Sequence, residues 1–347
     1  MKQQRQSGIE LLRLLAMFGI VLSHWGGHGS WGLTYDNTAF VNKIFLQITQ
    51  YFGEVGNCIF ILITGYFLAQ RNSINIRGFI RVVKDVKFYA FFIWLLVVAC
   101  GFVQFSVKGG IFSLLPIVYS QYWFATPFLM ILVLSPWINN LLMGFSEKQR
   151  KLYFALLLSI ELILPLVFAN TISSNIGAFL LFYSIGAQLR LSAQLKQRLL
   201  KYDMLFLLVG FGLALATIVL LDIVAPILGI DINLSMHFIG RFSPLPIVGA
   251  IGLFLIFSSF SITSPLINSL AQSAFAVYLI SENPNIYPWF WKHFFDNAQY
   301  YNTPYMIGVA LLQCSIVFLA CLIIDKFQKG IQSLIRVAYR NNGKLIC

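Results

Sequence analysis

Charge is what this chain has least of. Only 10% of its 347 residues are Asp, Glu, Lys or Arg, and just 12 are acidic, whereas a soluble globular domain carries about 25% charged residues. A water-solvated globular fold is thereby excluded. Cysteine is sparse as well: Cys58, Cys100, Cys314 and Cys321 stand in apolar segments and Cys347 closes the sequence. No Cys-x-x-Cys pair and no Cys/His cluster occurs, so neither a disulfide framework nor a metal site is expected. Long polar stretches are missing, which leaves no room for a separate soluble domain. There is no internal repeat of the kind that builds a transporter from paired halves.

What is abundant is apolar surface, with 59% hydrophobic and 16% aromatic residues. Apolar stretches of about 15 to 22 residues recur, near the length that crosses a hydrocarbon core as a helix. Ten candidate spans follow: 9–27, 52–69, 88–105, 122–143, 152–169, 172–190, 203–225, 242–260, 269–286 and 305–324. Basic residues test the count, because loops left in the cytoplasm keep an excess of Lys and Arg. With both termini inside, 19 of the 24 basic residues fall in inner segments, and only Lys43, Lys108, Arg241 and Lys292 fall outside. The expected fold is an all-α polytopic membrane protein of about ten transmembrane helices enclosing a cavity, both termini cytoplasmic. Residues 1–325 would form the transmembrane domain. Residues 326–347 would form a basic cytoplasmic tail whose alternating basic and apolar positions suit a helix lying on the inner surface.

The net charge of +12 thus reads as topology plus attraction to anionic membrane lipid, with no nucleic-acid partner required. Lys2 and Arg5 ahead of an apolar run imitate a signal peptide, but Glu10 and Arg13 interrupt that run, so it reads as a retained span. Pro127 and Pro136 should kink the fourth span and Pro165 the fifth. Residues 39–51 suit an amphipathic helix at the outer surface, and Thr64-Gly65-Tyr66 suits close helix packing.

Five residues of the first span form a stripe. Glu10, Arg13, Met17, Ile20 and His24 are spaced by three, four, three and four residues, which keeps them on one face of a helix. Arg13 and His24 are then roughly 16 Å apart along the axis. Ionisable groups inside a bilayer face a bundle interior or a wet cavity and mark a substrate or proton path. His24 can act as a general base near neutral pH, or be a hydrogen-bonded structural residue. Arg13 offers a planar fork of donors for an anion, or an internal ion pair with Glu10; both can hold at once. On the outer side stand His237, Arg241, Glu282 and Asn283, beside Trp123 and the aromatic run 287–291. Such residues suit a sugar acceptor and equally suit an interfacial aromatic belt.

Several segments, IELLR at 9–13, FILITGYFL at 60–68, YWFAT at 122–126, LSPWI at 134–138 and VYLISENP at 277–284, join the Arg13-to-His24 spacing in one pattern. The chain resembles the acyltransferase-3 family of integral-membrane acyltransferases, in particular its polysaccharide O-acyltransferase branch. The resemblance implies a multi-pass enzyme of a bacterial cell membrane with no permanently bound cofactor. It would take an acyl group, most commonly acetyl, from cytoplasmic acyl-CoA and deliver it to a hydroxyl of a cell-surface polysaccharide or lipid-linked glycan. By that carry-over His24 is catalytic, Arg13 with Glu10 is on the donor side, and His237, Arg241, Glu282, Asn283 and Trp123 are on the acceptor side. Relatives often read HDNP where this chain has Ser281-Glu282-Asn283-Pro284, and serine where it has Thr64. The reading from a different class is a polysaccharide exporter or flippase without chemistry; a receptor has only the aromatic outer segments behind it.

Overall fold

The computed structural model describes residues 6–29, 31, 39–168, 174–229, 234–241 and 243–342. Among them every regular element is helical. The order is α1 (Ser7–Gly27), α2 (Phe40–Leu68), α3 (Ile76–Ala99), α4 (Val107–Leu114), α5 (Ala125–Gly144), α6 (Glu147–Leu158), α7 (Leu164–Val167), α8 (Asn175–Leu191) and α9 (Ala193–Leu200). There follow α10 (Asp203–Leu228), α11 (Leu234–Ile239), α12 (Pro244–Ser259), α13 (Pro265–Leu270), α14 (Ala274–Ser281), α15 (Tyr287–Trp289) and α16 (Met306–Asn342). Helices satisfy their own backbone groups, which is what an apolar chain in lipid requires.

Ten spans are expected from the sequence, and the described residues do not reach that number. Six segments are long and apolar enough to cross a membrane: α1, α2, α5, α10, His237–Ser259 and Met306–Leu334; α8 and α9 make a seventh if their 99° bend is one broken span. The shortfall has local causes. α3 overlaps 88–105 but begins at Ile76 and carries Arg77, Arg81, Lys84, Asp85 and Lys87 in its first half. Segment 152–169 is divided into α6, a π turn at Ser159–Ile163 and α7. Segment 269–286 is met by the shorter apolar stretch Pro265–Ser281, with a 3-10 turn at Ala271–Ser273 inside it.

The amphipathic outer helix expected at 39–51 is not separate either, because α2 runs unbroken from Phe40. Its polar side turns inward. Asn42 donates to the Tyr301 and Thr303 carbonyls at 2.5 and 2.9 Å, and Lys43 reaches Asp222 of α10 at 3.2 Å with both side chains buried. Gln47 donates to the same Asp222 carboxylate at 2.9 Å. A buried charge needs such a partner, and this one aligns α2 with α10.

Pro127 lies in the first turn of α5, where its missing N–H forfeits no helical bond, so the expected kink has no cause there. Pro136 lies inside α5. It strands the Leu132 carbonyl, which accepts instead from the Ser135 hydroxyl at 2.8 Å. α16 continues through position 325 to Asn342 as one helix.

Two helices hold the site. α1 packs along α2 through small residues, and a Cβ on Gly56 would sit 2.6 Å from the Ala16 carbonyl oxygen. α2 in turn lies against α8 at Gly65 and Gly186, where a Cβ would meet the Tyr183 and Leu62 carbonyl oxygens at 2.1 and 2.0 Å. Asn139 of α5 closes the C-terminal end of α2, donating to the Leu68 carbonyl at 2.7 Å and accepting from the Tyr183 hydroxyl at 3.0 Å.

Candidate functional site

His24 occupies the last turn of α1, and His28 follows one turn later at its C-cap. A four-residue step keeps both imidazoles on one side, with ring centroids 5.7 Å apart. The end of α14 brings Glu282 between them. Its Oε1 lies 3.2 Å from His24 Nδ1 and 3.1 Å from His28 Nε2, and its Oε2 lies 3.2 Å from His28 Nε2. The His28 contact is a hydrogen bond. The His24 contact is within ionic reach but not aligned as one. Tyr287 covers the far side of His28 at 4.5 Å between centroids.

These groups open onto a cavity of about 350 Å³. α1 contributes Ser23, His24 and His28 to its wall, and α2 contributes Gln50, Glu54 and Asn57. The turn before α5 adds Gln121 and Trp123, and the opposite side is closed by Arg241 and Tyr278. Arg241 has its fork filled. Nε and Nη2 donate to the two carboxylate oxygens of Glu54, each at 3.2 Å, and Nη1 donates to Asn175 Oδ1 at 2.6 Å. The guanidinium also lies 3.7 Å above the Trp123 ring. That face of Trp123 is therefore taken by a cation, which leaves it closed to a sugar.

Of the sequence candidates, His24, Arg241, Glu282 and Trp123 meet at this cavity. Others do not. His237 is exposed and hydrogen-bonds through Nε2 to the Leu166 carbonyl at 2.7 Å, outside the cavity wall. Asn283 is fully buried behind it, where its Nδ2 donates to the Tyr122 hydroxyl at 2.9 Å and its Oδ1 accepts from the Asn285 backbone N–H at 3.0 Å. It pins the turn that presents Glu282. Glu10 and Arg13 form an ion pair at 2.7 Å, Glu10 buried and Arg13 about a quarter exposed. Neither lines the His24 cavity, as about three helical turns of separation require.

Sequence reasoning missed Glu54, Asn57 and Gln50. The available signal was a second stripe on α2, a carboxylate flanked by amides four residues before and three after. His28 carried a signal too, since it lies four residues beyond His24. Although two imidazoles and a carboxylate converge, no cluster of three or more His, Cys, Asp or Glu among the described residues is placed to hold a metal ion.

The arrangement can do acid–base work. A carboxylate beside Nδ1 favours the tautomer with the proton there, which leaves the Nε2 lone pair as the basic site. The same carboxylate compensates the charge of the imidazolium once it forms.

A family model described as an acyltransferase domain matches residues 6–325. No curated protein and no solved structure matches the chain.

Proposed function

The chain belongs to the acyltransferase-3 family, and from that premise we propose that it is an O-acyltransferase moving an acetyl group from acetyl-CoA to a hydroxyl of a cell-surface polysaccharide. Its apolar helices make it a multi-pass membrane protein. The observation that carries the reading is a general base, His24, backed by a carboxylate and open to a polar cavity.

In the proposed reaction the acceptor hydroxyl gives its proton to His24 Nε2 as its oxygen adds to the thioester carbonyl. The tetrahedral intermediate then collapses with cleavage of the C–S bond, and the departing sulfur recovers the proton from His24. The products are an O-acetyl ester and free CoA. Glu282 holds the imidazole in place and stabilises its cationic form; His28, hydrogen-bonded to the same carboxylate, fixes Glu282. The ion pair of Arg241 with Glu54 supplies a rigid polar wall for the acceptor. Because basic loops stay inside, the Arg13 end of α1 faces the cytoplasm and the His24 end faces outward. The donor then reaches the base from the inner side.

The reading is tested on surface glycan. NMR of that glycan from cells with the intact protein, without it, and with His24→Ala should show O-acetyl lost in the last two at unchanged glycan display. Glycan retained inside the cell would instead point to an exporter, and an acetyl level and a glycan display both unaltered by deletion would sink both readings.

Arg13 provides a separate expectation. If its guanidinium serves the CoA phosphates while Glu10 orients it, Arg13→Ala should weaken acetyl-CoA binding by roughly ten- to a hundredfold, the worth of a charged hydrogen bond. Arg13→Lys should recover part of that loss, since charge survives without the fork. Calorimetric titration of the detergent-purified variants measures both. Equal donor affinity in wild type and folded Arg13→Ala would leave Arg13 as no more than the partner of Glu10.

A further inference from the structure

α9 leaves α8 at 99°, so if α8 crosses the membrane α9 lies along its plane. Between α9 and α6 runs a groove of about 680 Å³ that shares no lining residue with the His24 cavity. Its composition changes along its length. Along α6 its lining passes from Arg150 and Lys151 in the N-terminal half to Phe154 and Leu158 further on, and α9 adds Leu195 and Arg198. Positions 150, 151, 154 and 158 lie on one helical face, passing from charged to apolar as a path from water into lipid does.

Three cations line this groove against one carboxylate, Glu147, and Glu147 is spent on Lys151 at 2.7 Å. Arg150 is anchored by Nη2, which donates to the Leu142 and Phe145 carbonyls at 3.4 and 3.2 Å. Its Nε–H is buried without an acceptor, and the buried Oε1 of Gln188, also in the groove wall, is without a donor. Gln188 is only 7% exposed. A buried donor and a buried acceptor both left unmade are costly, and together they ask for a ligand that presents an anion and a hydroxyl or ammonium. An apolar slot beneath them asks that the same ligand carry a chain.

We propose that this groove is a binding site for an anionic phospholipid, its phosphate held by Arg150 and Arg198, its headgroup hydroxyl donating to Gln188, and an acyl chain lying along Phe154 and Leu158. Basic pockets between helices at a membrane surface take lipid headgroups in this way. Acyl-CoA also combines phosphate with an apolar chain, and the test separates the two.

Native mass spectrometry of the full-length protein in detergent, titrated with phosphatidylglycerol and with phosphatidylcholine of the same chain length, reads the site. Phosphatidylglycerol should bind at least about tenfold more tightly than phosphatidylcholine, the scale of one charged hydrogen bond. Arg150→Gln with Arg198→Gln should abolish that preference, and Arg198→Gln alone, an exposed position that leaves the fold unloaded, should reduce it severalfold at an unaltered unfolding midpoint. Saturating acetyl-CoA should leave phosphatidylglycerol binding unchanged. Equal affinity for the two lipids, a preference that Arg198→Gln leaves undiminished, or displacement of the lipid by acetyl-CoA would each overturn the proposal, the last by giving the groove to the acyl donor.

Discussion

His24→Ala is expected to slow acetyl transfer by about a hundred- to ten-thousandfold, the usual contribution of a positioned general base, equivalent to about 3–5 kcal/mol in the barrier. Nothing in the fold depends on the imidazole to a comparable degree. It lies at the end of α1 facing the cavity, and its Nδ1 makes no aligned hydrogen bond. Thermal unfolding should therefore change little while turnover, followed as CoA thiol release with a glycan acceptor, collapses. Glu282→Gln should fall between the two, because an amide can still accept from His28 but no longer offsets the charge of a protonated His24. A His24→Ala variant that keeps its rate within a few fold of wild type would remove the base from the mechanism. Equal rates in Glu282→Gln and wild type would remove the carboxylate's part while leaving His24 in place.

Gly186→Val is expected to destabilise the protein at or beyond the top of the about 1–3 kcal/mol range for overpacked interiors. The added Cβ would sit 2.0 Å from the Leu62 carbonyl oxygen. A clash with a backbone carbonyl cannot be relieved by a rotamer change, so α2 and α8 must move apart. α2 carries Glu54 to the cavity, so this separation also displaces the partner of Arg241. Gly212→Ala on α10 is the control, since nothing lies within 4 Å of the added atom. The unfolding midpoint in detergent should drop for Gly186→Val and hold for Gly212→Ala. Matching midpoints for Gly186→Val and wild type would mean that α2 and α8 do not approach as closely as the structure places them.

The stripe on α1 was legible because helical periodicity is local. Steps of three and four residues put Glu10, Arg13 and His24 on one side whatever surrounds the helix, and the Arg13–Glu10 pair needs only that helix. Glu282 was identifiable as a polar residue at the end of an apolar run, but its position between His24 and His28 was not. The same limit applies to Arg241, whose fork meets Glu54 across 187 positions. Of the ten spans expected, the described residues show six or seven helices long and apolar enough to cross a membrane; charges in the first half of α3, a π turn after α6 and a 3-10 turn before α14 interrupt runs that average composition treats as continuous.

Composition determined that this chain partitions into membrane, because so few charges and so much apolar surface leave no soluble alternative, and continuous apolar runs near helix-spanning length determined that it does so as helices. Sequence spacing determined that an arginine and a histidine share a face of the first helix. Tertiary structure decided which residues join His24. Periodicity defines the face a side chain occupies, whereas the neighbour it meets depends on how closely separate helices approach, and here glycines at 56, 65 and 186 set that approach. His237 and Arg241, four residues apart, illustrate the difference: one is exposed against the Leu166 carbonyl of α7 and the other is locked into the cavity wall by Glu54 and Trp123.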